Sequence, residues 1–340
     1  MRWRSALLLV LTAASLHGGV VAEVGFVDEA LGPLPDGPAP TAAQCGACHA
    51  RIYDEWKGSL HRQSVTNAVF VDGLANEPHP RCVYCHAPLA PQAADTLKQL
   101  RTVVRTRALN LPSTSLAHEG ISCAVCHVRA GRVFAAQSPG HAYAHEVQVS
   151  ARLKDSSFCA ACHEFRAHEV HDGKTVMTPA PMQSTFSEWR AYRDAGGTET
   201  CQSCHMPGTS HAFRGAHDVA LLRGALKVVL DGDTAVLSSQ GVGHSFPTGD
   251  VFRHLTLWAD DVELARFGRR FAVSVGEDGR GHVELAADTS LQPGVPVRVK
   301  LPAGAHRLRV TYHYADDRHE QQGHLAREDL VVTLWLARVR

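Results

Sequence analysis

All ten cysteines of this 340-residue chain fall in five copies of one pattern, Cys-x-x-Cys-His: Cys45-Cys48-His49, Cys82-Cys85-His86, Cys123-Cys126-His127, Cys159-Cys162-His163 and Cys201-Cys204-His205. Two cysteines three residues apart lie on one side of a helical turn, so both sulfurs reach the two vinyl groups of a single porphyrin. The histidine that follows swings under the ring as a nitrogen ligand to the iron. The pattern is the c-type haem attachment signal. It predicts five covalent haems, with these ten cysteines as thioether donors and His49, His86, His127, His163 and His205 as proximal ligands. Zinc and thiol redox sites also use Cys-x-x-Cys, but they have no need of a histidine closing every copy. No cysteine is left for a disulfide, a catalytic thiol or a lipid anchor.

The N-terminus fits that chemistry. Arg2 and Arg4, the apolar run Ala6 to Ala14, and Val20-Val21-Ala22 before Glu23 read as a secretory signal over residues 1–22, whose apolar core is too short to span a bilayer comfortably. The expectation is export to the periplasm, with no membrane span in the mature chain. Residues 23–40 hold four prolines and read as an extended leader. The 34 basic and 34 acidic residues balance, which removes any electrostatic case for nucleic-acid binding.

From Thr41 to Asp218 the motifs recur at intervals of 37, 41, 36 and 42 residues, too irregular for a stacked repeat. A stretch of that length buries little apolar surface of its own, so the porphyrins must supply much of the core. Helical periodicity covers Ala42 to Lys57, Ala93 to Leu109 and Ser184 to Asp194. After Val219 the texture changes to about seven short alternating segments separated by turn formers such as Asp231-Gly232-Asp233 and Pro302-Ala303-Gly304. The predicted fold is α+β: a mainly α, loop-rich pentahaem domain over 41–218, then an antiparallel β-sandwich over 219–340.

Each iron needs a sixth ligand or an open face. Nine histidines outside the motifs lie between the first motif and the β region: His61, His79, His118, His141, His145, His168, His171, His211 and His217. That density points to bis-histidine ligation, which favours low potentials relative to Met/His pairs. His61 and His118 stand out by position. One histidine of the His141/His145 pair, one of His168/His171, and one of His211 and His217 are expected to ligate, with His145, His168, His211 and His217 carried as candidates. Met177 and Met182 are minor alternatives. His244, in Gly241-Val242-Gly243-His244-Ser245-Phe246-Pro247-Thr248-Gly249-Asp250, reads first as a structural loop histidine, and second as a residue reaching an iron or a propionate.

These residues resemble a known family. Cys45-Gly46-Ala47-Cys48-His49 with Ile52-Tyr53, Trp56, Ser59 and His61, then Cys82-Val83-Tyr84-Cys85-His86, Gly120-Ile121-Ser122-Cys123-Ala124-Val125-Cys126-His127 and Phe158-Cys159-Ala160-Ala161-Cys162-His163, are similar to the four successive sites of the nitrifier tetrahaem cytochrome that accepts electrons from hydroxylamine oxidoreductase. The likeness spans about Thr41 to His163. It implies that His61 is a distal ligand, and His141 or His145 another. Two functions follow as expectations: an electron carrier between a quinol-linked donor and a periplasmic acceptor, or an oxidoreductase acting on small nitrogen or sulfur oxyanions at one five-coordinate haem.

Overall fold

A computed structural model describes residues 31–138, 145–171, 174–275 and 281–338. The signal-like stretch 1–22, the first part of the leader and His141 lie outside the described residues. No helix among the described residues is long and apolar enough to cross a membrane.

The motif-bearing half is built from short helices: α1 Ala42–Gly46, α2 Ala50–Lys57, α3 Ala68–Asn76, α4 Arg81–His86, α5 Ala90–Lys98, α6 Leu100–Thr106, α7 Cys123–His127, α8 Ser157–His163, α9 Thr185–Asp194 and α10 Cys201–His205. Four motifs end their helix at the histidine. The first instead straddles the break between α1 and α2, so the single helix expected over 42–57 is two. A capping box of Thr41 and Gln44 starts α1, and one of Thr200 and Ser203 starts α10. Strands are also present: β1 Val128–Arg129, β2 Arg132–Ala135 and β3 Gln148–Val149 form a small sheet, and β4 Phe165–His171 pairs with β5 Lys174–Gln183 as a hairpin. That hairpin was not foreseen. Its Pro179 and Pro181 and its two register shifts hide the strand pattern.

The half from Val219 opens with α11 Val219–Ala225 and continues through β6 Leu226–Asp231, β7 Thr234–Ser239, β8 His254–Ala259, β9 Val262–Val275, β10 Gly281–Asp288, β11 Val297–Lys300 and β12 Arg307–His313. It ends with α12 Asp317–Gln322, α13 Arg327–Leu330 and β13 Val331–Arg338. All the strand pairs here are antiparallel, giving one sheet in the order β10-β9-β8-β12-β13 and a second in the order β11-β7-β6. Ala235 and Leu237 of the smaller sheet share one apolar core with Leu255, Leu257, Phe267, Leu308 and Val310 of the larger. The molecule as a whole is thus mixed helix and sheet. Strand β10 and the first part of β9 escaped the sequence reading, because Glu263, Arg266, Arg269 and Arg270 break the alternation expected of a half-buried strand.

Among its described residues the motif half has no comparable core. Its buried apolar residues sit in separate small groups: Leu34 with Leu89, Ala124, Val125 and Val128; Val65 with Val83, Ala87 and Ala117; and Leu74 with Ala75 and Val103. The leader residue Leu34 is packed into the first of these, so that part of the leader is structural. Between the groups runs a large cavity.

Candidate haem-binding sites

One continuous cavity of about 3040 Å³ is lined by all ten motif cysteines and all five motif histidines. A pocket for a single drug-sized molecule is roughly 300–1,000 Å³, so this space is on the scale that several porphyrins need.

The histidine rings supply a sharper test. An imidazole–metal bond is about 2 Å long and a ring centre lies about 1 Å behind its nitrogen, so two imidazoles on opposite sides of one metal have centres roughly 6 Å apart. Four of the five motif histidines meet a second histidine at that spacing. His49 stands 6.3 Å from His145, His127 6.1 Å from His211, His163 6.3 Å from His61, and His205 6.2 Å from His244. These separations are too long for ring contact and match a pair that brackets an iron.

Six of the rings hold a proton on Nδ1, while His163 Nδ1 faces the Gln183 side-chain amide at 3.1 Å and His61 Nδ1 is buried without a hydrogen-bond partner. His86 Nδ1 donates to Ser64 O at 2.7 Å, His127 Nδ1 to Phe134 O at 2.7 Å and His205 Nδ1 to Arg214 O at 2.5 Å. Among the opposing histidines, His211 Nδ1 donates to Thr209 O and His244 Nδ1 to Ser245 O, each at 2.9 Å, and His145 Nδ1 to Glu146 O at 3.2 Å. A proton held on Nδ1 leaves Nε2 as the lone-pair nitrogen, the form that binds a metal. Burial also keeps the rings neutral: it pushes His61 down to about 3, with the charges of His163, His205 and His86 adding to it, and His163 and His244 down to about 4. The residues present fit haem at each motif.

Local structure explains how His61 reaches its place. Ile121 N donates to His61 O at 2.8 Å, and Trp56 Nε1 donates to Ile121 O at 2.8 Å. Gly120 makes the close approach possible, since its φ is +54° and a Cβ there would lie 2.5 Å from His61 O. Glu119 takes the Ala42 N–H at the start of α1 on both carboxylate oxygens, at 2.9 and 3.1 Å. The segment before the third motif therefore clamps the strap between the first and second.

His86 is the exception. Phe70 of α3 stacks on its ring at 3.9 Å and 16°, and among the described residues no second imidazole stands about 6 Å from it. Three of the expected ligands are engaged elsewhere. His118 Nε2 donates to Pro112 O at 3.0 Å, His168 packs against His79 at 4.0 Å, and His217 stacks on Tyr314 at 4.2 Å. Among the described residues none of the three pairs with a motif histidine at the spacing of the four pairs above. His244, read first as a structural loop residue, is the one that stands opposite His205. Its Gly- and Pro-framed loop was the signal for it.

The sites also adjoin in a definite order. The thiols of Cys45 and Cys123 lie close enough to perturb each other's ionisation, as do those of Cys85 and Cys162 and those of Cys159 and Cys201. Cys126 lies near enough to Cys159 and Cys162 to act on both by charge. Cys48 and Cys204 are the exposed members of the ten.

The family described as cytochrome c554 and c-prime matches residues 44–128. The fold is similar to that of a penta-heme cytochrome c552 from Thermochromatium tepidum, with a TM-score of 0.60 and 20% identity, over 88% of this chain and 99% of that one. No curated protein matches the chain.

Proposed function

We propose that this chain is a multihaem c-type cytochrome that carries electrons between redox partners, with five haems held on Cys45/Cys48, Cys82/Cys85, Cys123/Cys126, Cys159/Cys162 and Cys201/Cys204. Both comparisons support a multihaem c-type cytochrome, and the observation that carries the reading is the set of four imidazole pairs at 6.1–6.3 Å. A haem bound at such a site supplies one-electron chemistry at its iron. The chain's part is to fix spacing and ligand field. In this reading His49/His145, His127/His211, His163/His61 and His205/His244 set four bis-histidine fields, and the nearness of the cysteines supports an order in which the first site adjoins the third, the third the fourth, and the fourth both the second and the fifth. The exposure of Cys48 and Cys204 supports the first and fifth sites as the two ends, where a quinol-linked donor and a periplasmic acceptor would dock. Residues 1–22 act as the export signal, and the two C-terminal sheets form a β-sandwich.

A second reading is favoured by His86, which has no opposing imidazole among the described residues. It makes the second site a five-coordinate centre, beside the main path, where a small nitrogen or sulfur oxyanion could bind. One set of measurements tests both readings. The mass of the mature chain should include five haems, and the paramagnetic resonance spectrum should show four low-spin centres and one high-spin centre. A high-spin signal that shifts with nitrite or sulfite supports the catalytic reading. One that does not respond leaves the carrier, and a chain without haem overturns both.

A further inference from the structure

His244 does not belong to the motif-bearing half. It sits in the connection between β7, which ends at Ser239, and β8, which begins at His254. The connection is anchored on its own side by Phe246, whose N–H and C=O exchange hydrogen bonds with Leu291 at 2.9 Å each, and by Ser245 Oγ donating to Gln292 Oε1 at 3.1 Å. On the other side it is gripped by α9. Glu188 Oε2 accepts both the Ser245 N–H at 3.2 Å and the Thr248 hydroxyl at 2.6 Å, while the Thr185 and Thr248 hydroxyls lie 2.9 Å apart. Gly243 rests on the Tyr192 ring of the same helix, where a Cβ would meet Cδ1 at 2.9 Å. One carboxylate therefore holds the backbone N–H of the residue next to His244. The His205 and His244 rings that result are almost parallel, at 8°.

We propose that the C-terminal sheets supply the sixth ligand of the fifth site through His244, and that Glu188 is the positioning residue that seats it, so that coordination at one end of the haem series depends on the docking of the C-terminal half. This rests on the haem reading above. A site whose two ligands come from the two halves is complete only while they are packed together. The carboxylate clamp contributes two hydrogen bonds beside the Thr185–Thr248 and Gly243–Tyr192 contacts, so its loss biases the loop without freeing it altogether. Loosening the clamp would open the iron under His205 without touching either ligand.

The test uses the full haem-loaded chain and counts carbon monoxide bound per chain in the reduced state, together with high-spin signal in the oxidised state. His244→Ala should raise the count by one over the wild-type chain, whatever the wild-type count is, and added imidazole should return that centre to low spin. His244→Met should keep six-coordination and raise one of the five potentials, since a thioether replaces an imidazole. Glu188→Ala should convert only part of one centre to high spin, and Glu188→Asp should restore more of the low-spin form than Glu188→Ala. An unchanged count in His244→Ala at full haem content, with no potential moved in His244→Met, overturns the assignment of His244 and leaves the electron-carrier reading standing. Glu188→Ala with the wild-type spectrum overturns the positioning role. A wild-type chain whose mass lacks haem overturns both this proposal and the reading beneath it.

Discussion

At the scale of single residues, the motif cysteines and histidines are readable because their chemistry is local: three-residue spacing and an adjacent histidine are all that one porphyrin face requires. The opposing histidines are not local. His61 follows the first motif but faces His163, His145 follows the third but faces His49, and His211 follows the fifth but faces His127. A Cys-x-x-Cys-His segment wraps the proximal side of its own ring, so the far side is reached by another part of the chain. Composition reveals that spare histidines exist, and nothing in their spacing says which of them cross over. His61→Ala should convert one low-spin centre to high spin, seen in the paramagnetic resonance spectrum, with the other centres unchanged. Gly120→Ala should act on the same centre indirectly. Its φ of +54° and the 2.5 Å approach to His61 O leave no room for a methyl group, so a destabilisation of about 1–3 kcal/mol and a lower Tm are expected.

At the scale of elements, the larger C-terminal sheet was legible where one face alternates and illegible where it carries charge. Its second face is unusual in being polar and buried. His254 pairs across strands with His313 and Thr256 with Thr311, and the two imidazoles stack at 4.2 Å under α12. His313 Nδ1 donates to Glu320 at 2.5 Å and its Nε2 accepts from the Thr311 hydroxyl at 2.9 Å. Burial, then the neighbouring His313, pushes His254 down to about 4, and burial, with Arg266 nearby, takes His313 to about 4 as well, against an ordinary value of 6.5. Their unfolded forms bind protons that the folded forms refuse. Stability is therefore full above pH 6.5 and falls as the pH drops towards 4, by up to about 1.4 kcal/mol per pH unit for each ring. Thermal melts between pH 7 and 4 should show this slope, and His254→Gln should flatten part of it at some cost to stability at neutral pH.

At the scale of the whole molecule, the two halves meet through charge as well as through His244. Buried Asp72 of α3 accepts from Arg107 Nε at 2.9 Å and lies 3.5 Å from His324 Nδ1 and 3.8 Å from His319 Nε2, both in the C-terminal half. Asp316, with help from Asp72, raises His319, so this contact has the opposite sign from the His254 pair: it is fully present below the ordinary histidine value and is lost as the pH rises through the raised one. Asp72→Asn should therefore lower the Tm, by roughly 3 kcal/mol in stability, because Arg107 loses its buried partner. It should also weaken the fall in stability on the alkaline side. This seam involved neither a motif nor a periodic pattern, and only the folded chain brings its members together. The crossed supply of histidines has a further consequence for how such a molecule is made. Each bracketed metal would act as a clasp joining points about 40 to about 100 residues apart in the chain, with the ordering effect of a long-range cross-link. As the polypeptide emerges from its N-terminus, the first clasp cannot close until residue 145 has appeared, and the last must wait for the C-terminal half to begin folding. Maturation would then proceed as a sequence of stitches across the chain, and an iron missed early would leave its partner histidine free to fasten to the wrong one.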